Sequence, residues 1–262
     1  MALIGISGKI GSGKDTVGII IQYLVCKHKD TLAPHQQVED LMEQLKLFGL
    51  APYSNKSQSS WEIKKFAGKL KQIVSILTGC SVEDLERPEF KSSLLGEEWA
   101  VNPRFSPAPE EGKPIEDSPS VIYTRDIYTY RGFLQKVGTD ALRSVIHENV
   151  WVNALFSNYK GEFNQYHEDE LKSRAFPNWI ITDMRFPNEL KAVEDRDGIT
   201  IRINRKIEFE GVIVDMKDMS IVEHPSETAL DNAKFKYVID NDGTVDELVE
   251  KVAEILKKEN II

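Results

Sequence analysis

Short apolar runs alternate along this chain with stretches that carry a single apolar stripe at helical spacing. Leu3-Ile4-Gly5-Ile6-Ser7 is the first run, and its near-continuous apolar character suits a strand buried on both faces. Residues 15–29 follow, with Val17, Ile20, Ile21, Leu24 and Cys26 on one side of a predicted helix. Trp61-Glu62-Ile63-Lys64-Lys65-Phe66 alternates as a second strand would. Residues 67–77 read as a helix with Leu70, Ile73, Val74 and Leu77 on one face, and Ser81-Val82-Glu83-Asp84 resembles a helix start. Gly132 to about Ser157 is a long amphipathic helical region with expected breaks near Gly138 and Asn149. Trp179-Ile180-Ile181-Thr182 is the strongest central-strand pattern after the first, and residues 187–195 are helical. Thr200-Ile201-Arg202-Ile203-Asn204 and Tyr237-Val238-Ile239 are further strands, the latter closing in a turn at Asn241-Asp242-Gly243. Thr244-Val245-Asp246-Glu247 is a capping box that opens a last helix with Leu248, Val249, Val252, Ile255 and Leu256 inward.

Strands alternating with helices predict an α/β fold in three layers, a parallel sheet covered by helices on both faces. Between these elements the pattern lapses. Residues 31–60 are polar and mixed, with one expected helix around 39–47. Residues 100–120 hold five of the eleven prolines and read as a loop or insertion, with a strand or hairpin expected at 121–130. The polar stretch 206–222, ahead of His224-Pro225-Ser226-Glu227, is where a lid would be expected. His224 reads as part of a turn or helix start rather than as a catalytic base. No internal repeat is visible.

Composition narrows the reading. The 262 residues are 41% hydrophobic and 29% charged, as in an ordinary globular protein. No apolar run reaches membrane-spanning length, and the first residues lack the basic and cleavage regions of a signal peptide. Cys26 and Cys80 are expected to be reduced packing residues in a reducing compartment. The net charge of -9 argues against a nucleic-acid polymer as partner. Any anionic ligand must then be gripped by local cations and backbone N–H groups.

Gly8-Lys9-Ile10-Gly11-Ser12-Gly13-Lys14-Asp15-Thr16 provides such groups. Glycines let successive amides curl around one concavity, and the helix that follows adds its positive end. Lys14 has the reach to meet the β- and γ-phosphates of a nucleotide. The letters gain their weight from the setting, a buried strand before and an amphipathic helix after. Ser or Thr commonly follows the lysine as a Mg²⁺ ligand, but here Asp15 stands there and Thr16 comes next. Asp15 or Thr16 would hold the metal, and for Asp15 favouring the helix N-terminus is an equally good reading. Asp183, where an apolar strand meets its loop, would sit in the crevice at the carboxyl ends of the strands, or cap a turn or pair with Arg185. Arg131, Arg143, Arg185, Arg202 and Arg205 form a pool from which two or more are expected to face transferring or acceptor phosphate.

GKIGSGKDT at 8–16, FAGKLKQIVSILTG at 66–79, RGFLQKVGTDALR at 131–143, WIITDMRFPNE at 179–189 and HPSETAL at 224–230 together resemble the deoxynucleoside monophosphate kinases of bacteriophages, within the P-loop kinase group. The resemblance covers most of the chain outside the proline-rich stretch. It implies one kinase domain over 1–262 with the P-loop NTPase fold, a helical acceptor-binding insertion within 31–160, and a lid at 205–226. It implies that ATP and Mg²⁺ occupy Gly8, Lys9, Gly11, Ser12, Gly13, Lys14, Asp15 and Thr16. The acceptor would meet Lys69, Arg131, Gln135, Thr139, Asp140 and Arg143. Lys14, Arg143, Asp183 and Arg185 would act on the transferred group. A cytoplasmic location follows from the same resemblance, the host's cytoplasm if the protein is viral. Base preference, deoxyribose requirement and oligomeric state stay open, with a homodimer among the outcomes. Two alternatives also stay open: a P-loop kinase similar to dephospho-coenzyme A kinase or phosphomevalonate kinase, and a non-kinase ATP-binding regulator.

Overall fold

A computed structural model describes residues 2–29, 61–100, 127–163, 174–209, 212–215 and 225–262. The expected helix at 39–47, the proline-rich stretch beyond residue 100, most of the strand at 121–130, and His224 lie outside them. The chain divides into two compact units, residues 1–68 with 151–262, and residues 69–150.

The first unit is built on five parallel strands in the order β2-β5-β1-β6-β9. They are β1 (Leu3–Gly8), β2 (Trp61–Lys64), β5 (Asn178–Met184), β6 (Ile199–Asn204) and β9 (Tyr237–Asp240). Every pairing between neighbours is parallel: Ile4 lies opposite Ile180 on one side and Ile199 on the other. Side chains alternate between the faces of a strand. Ile4 and Ile6 point into a core that also holds Val17, Ile20, Ile21 and Val25 of α1 (Lys14–His28). That core takes Leu248, Val252, Ile255 and Leu256 from the last helix, Val245–Lys258. Gly5, between the two isoleucines, faces Met184 and Val193 instead. Val193 belongs to the helix Pro187–Glu194, which packs on β1 and β6. Helices therefore cover both faces, as the sequence predicts. Burying an Ile or Leu contributes about 1.5–3 kcal/mol, so the layers hold through many such side chains.

Capping sets the helix ends. Thr244 Oγ1 accepts from Glu247 N–H at 3.3 Å and starts the last helix where its sequence indicates. Glu189, buried, accepts from the N–H groups of Arg185 at 2.8 Å and Phe186 at 3.1 Å, and so caps the helix that Pro187 opens. Two antiparallel pairs, β3 (Glu162–Phe163) with β4 (Arg174–Ala175) and β7 (Lys206–Phe209) with β8 (Val212–Asp215), are additions that the apolar pattern does not reveal. The second of these pairs falls inside the stretch expected to form a lid.

The second unit contains most of α2 (Gly68–Thr78), then α3 (Pro88–Ser92) and α4 (Tyr130–Gln135). From Lys136 to Ile146 the chain continues from α4 as a π-helix. An i−5 backbone bond shows directly at its end, where His147 N–H donates to Leu142 O at 3.0 Å. The break expected at Gly138 is thus a widening of the helix rather than its end. Gly138 is buried, and a Cβ there would lie 2.6 Å from Leu70 Cδ2, so the two helices approach through it. The break expected near Asn149 does occur, with α5 (Val150–Phe156) following. On α2, Leu70 and Val74 are buried as expected, whereas Leu77 is half exposed and corrects its inward assignment. Cys26 and Cys80 are both free thiols.

Candidate active site

β1 ends at Gly8 and α1 starts at Lys14, so the glycine loop spans the carboxyl end of the central strand. Gly11 and Gly13 adopt φ of 76° and 95°, the left-handed region that glycine enters without strain. Ser12 N–H donates to Lys9 O at 3.2 Å, and Val17 N–H to Gly13 O at 2.9 Å, which joins the loop to the first helical turn. A Cβ on Gly8 would lie 2.4 Å from Ser12 Oγ and 2.5 Å from Ile203 O, so no side chain fits there. The buried Ser12 hydroxyl has no hydrogen-bond partner among the described residues.

Lys14 folds back over the loop. Its Nζ donates to Gly8 O at 2.7 Å and to Lys9 O at 2.6 Å. Burial in the loop, reinforced by the Arg185 guanidinium, pushes the Lys14 ammonium from its ordinary 10.5 down to about 8. Arg202 adds to that push, and Asp15 and Asp183 oppose it. These five charged groups therefore feel one another at the carboxyl edge of the sheet.

Each of the acidic and basic groups around Lys14 is held in place. Asp15 Oδ1 accepts from Thr182 Oγ1 at 2.6 Å and lies 3.5 Å from Lys65 Nζ. Asp183 is not paired with Arg185: its two oxygens accept from Phe66 N–H at 2.7 Å and Ala67 N–H at 2.9 Å, which fastens the turn after β2. Arg185 pairs with Glu227 and donates to Ser226 O at 3.4 Å. Arg202 donates to Ser7 Oγ at 3.0 Å and to Asp231 at 2.8 Å, and the other oxygen of Asp231 lies 3.0 Å from Lys9 Nζ. Arg205 donates to Gly11 O at 3.4 Å. Asn241 Nδ2 donates to Ser12 O at 2.9 Å. The structure thus gathers Lys14, Asp15, Asp183, Arg185 and Arg202, with Thr16 in the first turn of α1.

Thr182, Lys65, Glu227, Asp231 and Asn241 were not picked out for these roles by sequence reasoning. Glu227 lies within HPSETAL, Asp231 just after it, and Asn241 within the predicted turn, so the sequence points to these segments but not to the partners.

The residues expected for an acceptor fall in the second unit. Lys69 is exposed in the first turn of α2. Arg131 and Gln135 are four apart on α4 and share a face. Thr139, Asp140 and Arg143 lie on the π-helix. Asp140 pairs with Lys136 at 3.1 Å, and Arg143 Nη1 donates to Glu148 O at 3.2 Å. A π-helix is rare, and such widenings are frequent at functional sites.

An oxygen-ligated cation fits the start of α1. Mg²⁺ binds through one or two protein oxygens together with phosphate oxygens and water. Asp15 and Thr16 offer a carboxylate and a hydroxyl in adjacent positions. Among the described residues there is no cluster of three or more His, Cys, Asp or Glu placed to hold a metal by themselves. Nor is any described helix long and apolar enough to cross a membrane.

A family model described as deoxynucleotide monophosphate kinase matches residues 109–252, more than half of the chain. The match takes in the 131–143, 179–189 and 224–230 segments and leaves the glycine loop outside. The chain is also similar to a protein of Acanthamoeba polyphaga mimivirus provisionally named a deoxynucleotide monophosphate kinase, at 28% identity over 125 residues. That alignment covers 47% of this chain and 59% of the viral protein, so the chain spans less than two thirds of the relative's length.

Proposed function

The chain belongs to the deoxynucleotide monophosphate kinase family, and we propose from that premise that it transfers the γ-phosphoryl group of ATP to a deoxynucleoside monophosphate, giving ADP and the diphosphate. The observation that carries the reading is the loop geometry: two glycines at positive φ and Lys14 folded over the loop's own carbonyls. An ammonium held this way exchanges those carbonyls for phosphate oxygens when a triphosphate enters.

An acceptor phosphate oxygen attacks the γ-phosphorus, the bond to the β,γ-bridging oxygen breaks, and its electrons leave with ADP. A phosphate monoester has its second pKa at about 6, so the nucleophile is already an anion at neutral pH and no general base is needed. Catalysis then rests on position and positive charge. Lys14 and Arg185 would stabilise the oxygens of the transferred group. Asp183 would act by fixing the turn at residues 66–67. Asp15 and Thr16 would hold Mg²⁺, which neutralises phosphate charge when bound. Arg131 and Arg143 would grip the acceptor phosphate, with Lys69, Gln135, Thr139 and Asp140 lining the nucleoside.

The test is a coupled ADP-release assay with ATP, Mg²⁺ and each common ribo- and deoxyribonucleoside monophosphate. Turnover with at least one deoxynucleotide is expected. Absence of turnover with every monophosphate would overturn the assignment.

A further inference from the structure

We infer that Asn241 is a positioning residue of the phosphate loop, one that orients the Ser12–Gly13 peptide so that the Gly13 N–H faces the bound phosphate; the inference rests on the nucleotide-binding reading above. The peptide unit is planar and trans, so its C=O and N–H point to opposite sides. Asn241 Nδ2 holds the Ser12 carbonyl at 2.9 Å. The Gly13 N–H on the same plane is thereby turned away from Asn241.

Two further features locate the side chain. A Cβ at Gly13 would lie 2.6 Å from Asn241 Nδ2, so the amide fills the space beside the left-handed residue. Asn241 is itself anchored: its N–H donates to Asn204 O at 2.8 Å, continuing the β6–β9 pairing beyond Asp240. Lys206 N–H to Asp242 Oδ1 at 2.6 Å ties down the next residue. The amide therefore projects from the end of the sheet and not from a loose turn. Glycine at position 13 permits many conformations, and the carbonyl contact selects one of them.

An acceptor in place of the donor should undo this. In Asn241→Asp a carboxylate would face the Ser12 carbonyl, and in Asn241→Leu the donor is lost without added charge. Binding of Mg²⁺ with a non-hydrolysable ATP analogue, followed by calorimetry, is expected to weaken about tenfold or more in both variants. Deoxynucleoside monophosphate binding should stay within about twofold, a split that general destabilisation would not produce. Nitrogen-15 glycine labelling gives a readout that needs no nucleotide. The Gly13 amide resonance should move in Asn241→Leu while that of Gly79 stays in place. Wild-type analogue affinity in Asn241→Leu, or an unmoved Gly13 resonance, overturns the inference. A wild-type protein that binds the analogue but phosphorylates no acceptor removes the kinase assignment and leaves the role of Asn241 standing.

Discussion

Thr182 donates its hydroxyl hydrogen to Asp15 at 2.6 Å, joining β5 to the first turn of α1 across 167 positions of sequence. Asp15 stands where a hydroxyl residue commonly follows the loop lysine, and here the hydroxyl is returned to it by a neighbouring strand. Thr182 is buried, whereas the Asp15 side chain keeps 39% of its surface exposed and can turn to water when the hydroxyl is lost. In Thr182→Val, stability is expected to fall by about 0.5–1.5 kcal/mol, the net worth of one hydrogen bond whose charged partner reaches water. The Mg²⁺ concentration for half-maximal rate should rise. Thermal melting and a Mg²⁺ titration check the two effects.

Lys14→Met keeps the length of the side chain and removes its charge. Loss of one preorganised cationic donor at the transferring group is expected to cost on the order of 10²–10³ in kcat. Steady-state kinetics with a saturating acceptor measures it, and a variant retaining half the activity would contradict the role given to Lys14.

The displaced titration of Lys14 gives a pH dependence with a definite sign. The free enzyme needs this group protonated to receive phosphate, and its value of about 8 sets the limit. The rate constant kcat/KM for ATP should be flat below about pH 8 and fall about tenfold per unit above it. Bound phosphates restore the proton's affinity, so the corresponding limb in kcat should lie at higher pH. For stability, the unfolded chain binds the proton more tightly than the fold does, near 10.5 against about 8. The penalty for the charged lysine is then fully present below pH 8, and its relief adds stability as the pH rises from 8 to 10.5. Arg185 and Arg202 deepen that penalty, while Asp15 and Asp183 lessen it.

Asp183→Asn separates a base from a fastener. Its two oxygens hold the amides of Phe66 and Ala67, and an asparagine can accept only through one. Stability is expected to drop by about 1–3 kcal/mol, with kcat at low temperature changed less than tenfold. A loss on the order of 10²–10⁴ without loss of stability would instead identify a general base.

Arg131→Ala and Arg143→Ala should raise the acceptor KM by about tenfold or more, the scale of one lost charged contact. The KM for ATP should stay within about twofold. Equal effects on both substrates would remove these residues from acceptor recognition.

Much of the fold was legible in the apolar pattern. The runs at 3–7 and 179–182 are buried on both faces, which leaves no room for polar alternation, whereas 200–204 alternates, with Ile201 and Ile203 buried and Arg202 and Asn204 more open. The last helix was legible twice, in its cap at Thr244 and in its stripe at Leu248, Val252, Ile255 and Leu256. Periodicity failed where context rules. Leu77 shares a stripe with Leu70 yet is half exposed at the end of α2. Gly138 suggested a break, but close approach to Leu70 gives it a packing role within a widened helix. The glycine loop and its lysine stood out because those residues are contiguous in sequence. Its supports did not. Thr182, Asp231 and Asn241 meet the loop only through the parallel strand order and register, and nothing local to those residues names Asp15, Lys9 or Ser12 as their partners.

The central place of β1 bears on biosynthesis. Its neighbours β5 and β6 come from residues 178–184 and 199–204, and the brace at Asn241 from later still. A chain emerging from the ribosome with its N-terminus first displays the glycine motif long before any residue able to shape it has been made. Pairings this distant along the chain also form slowly. A stalled or proteolysed fragment ending ahead of residue 178 would carry every letter of the motif and still leave nucleotide in solution. On the reading proposed above, capture on an ATP matrix would therefore report a chain synthesised at least as far as Asn241.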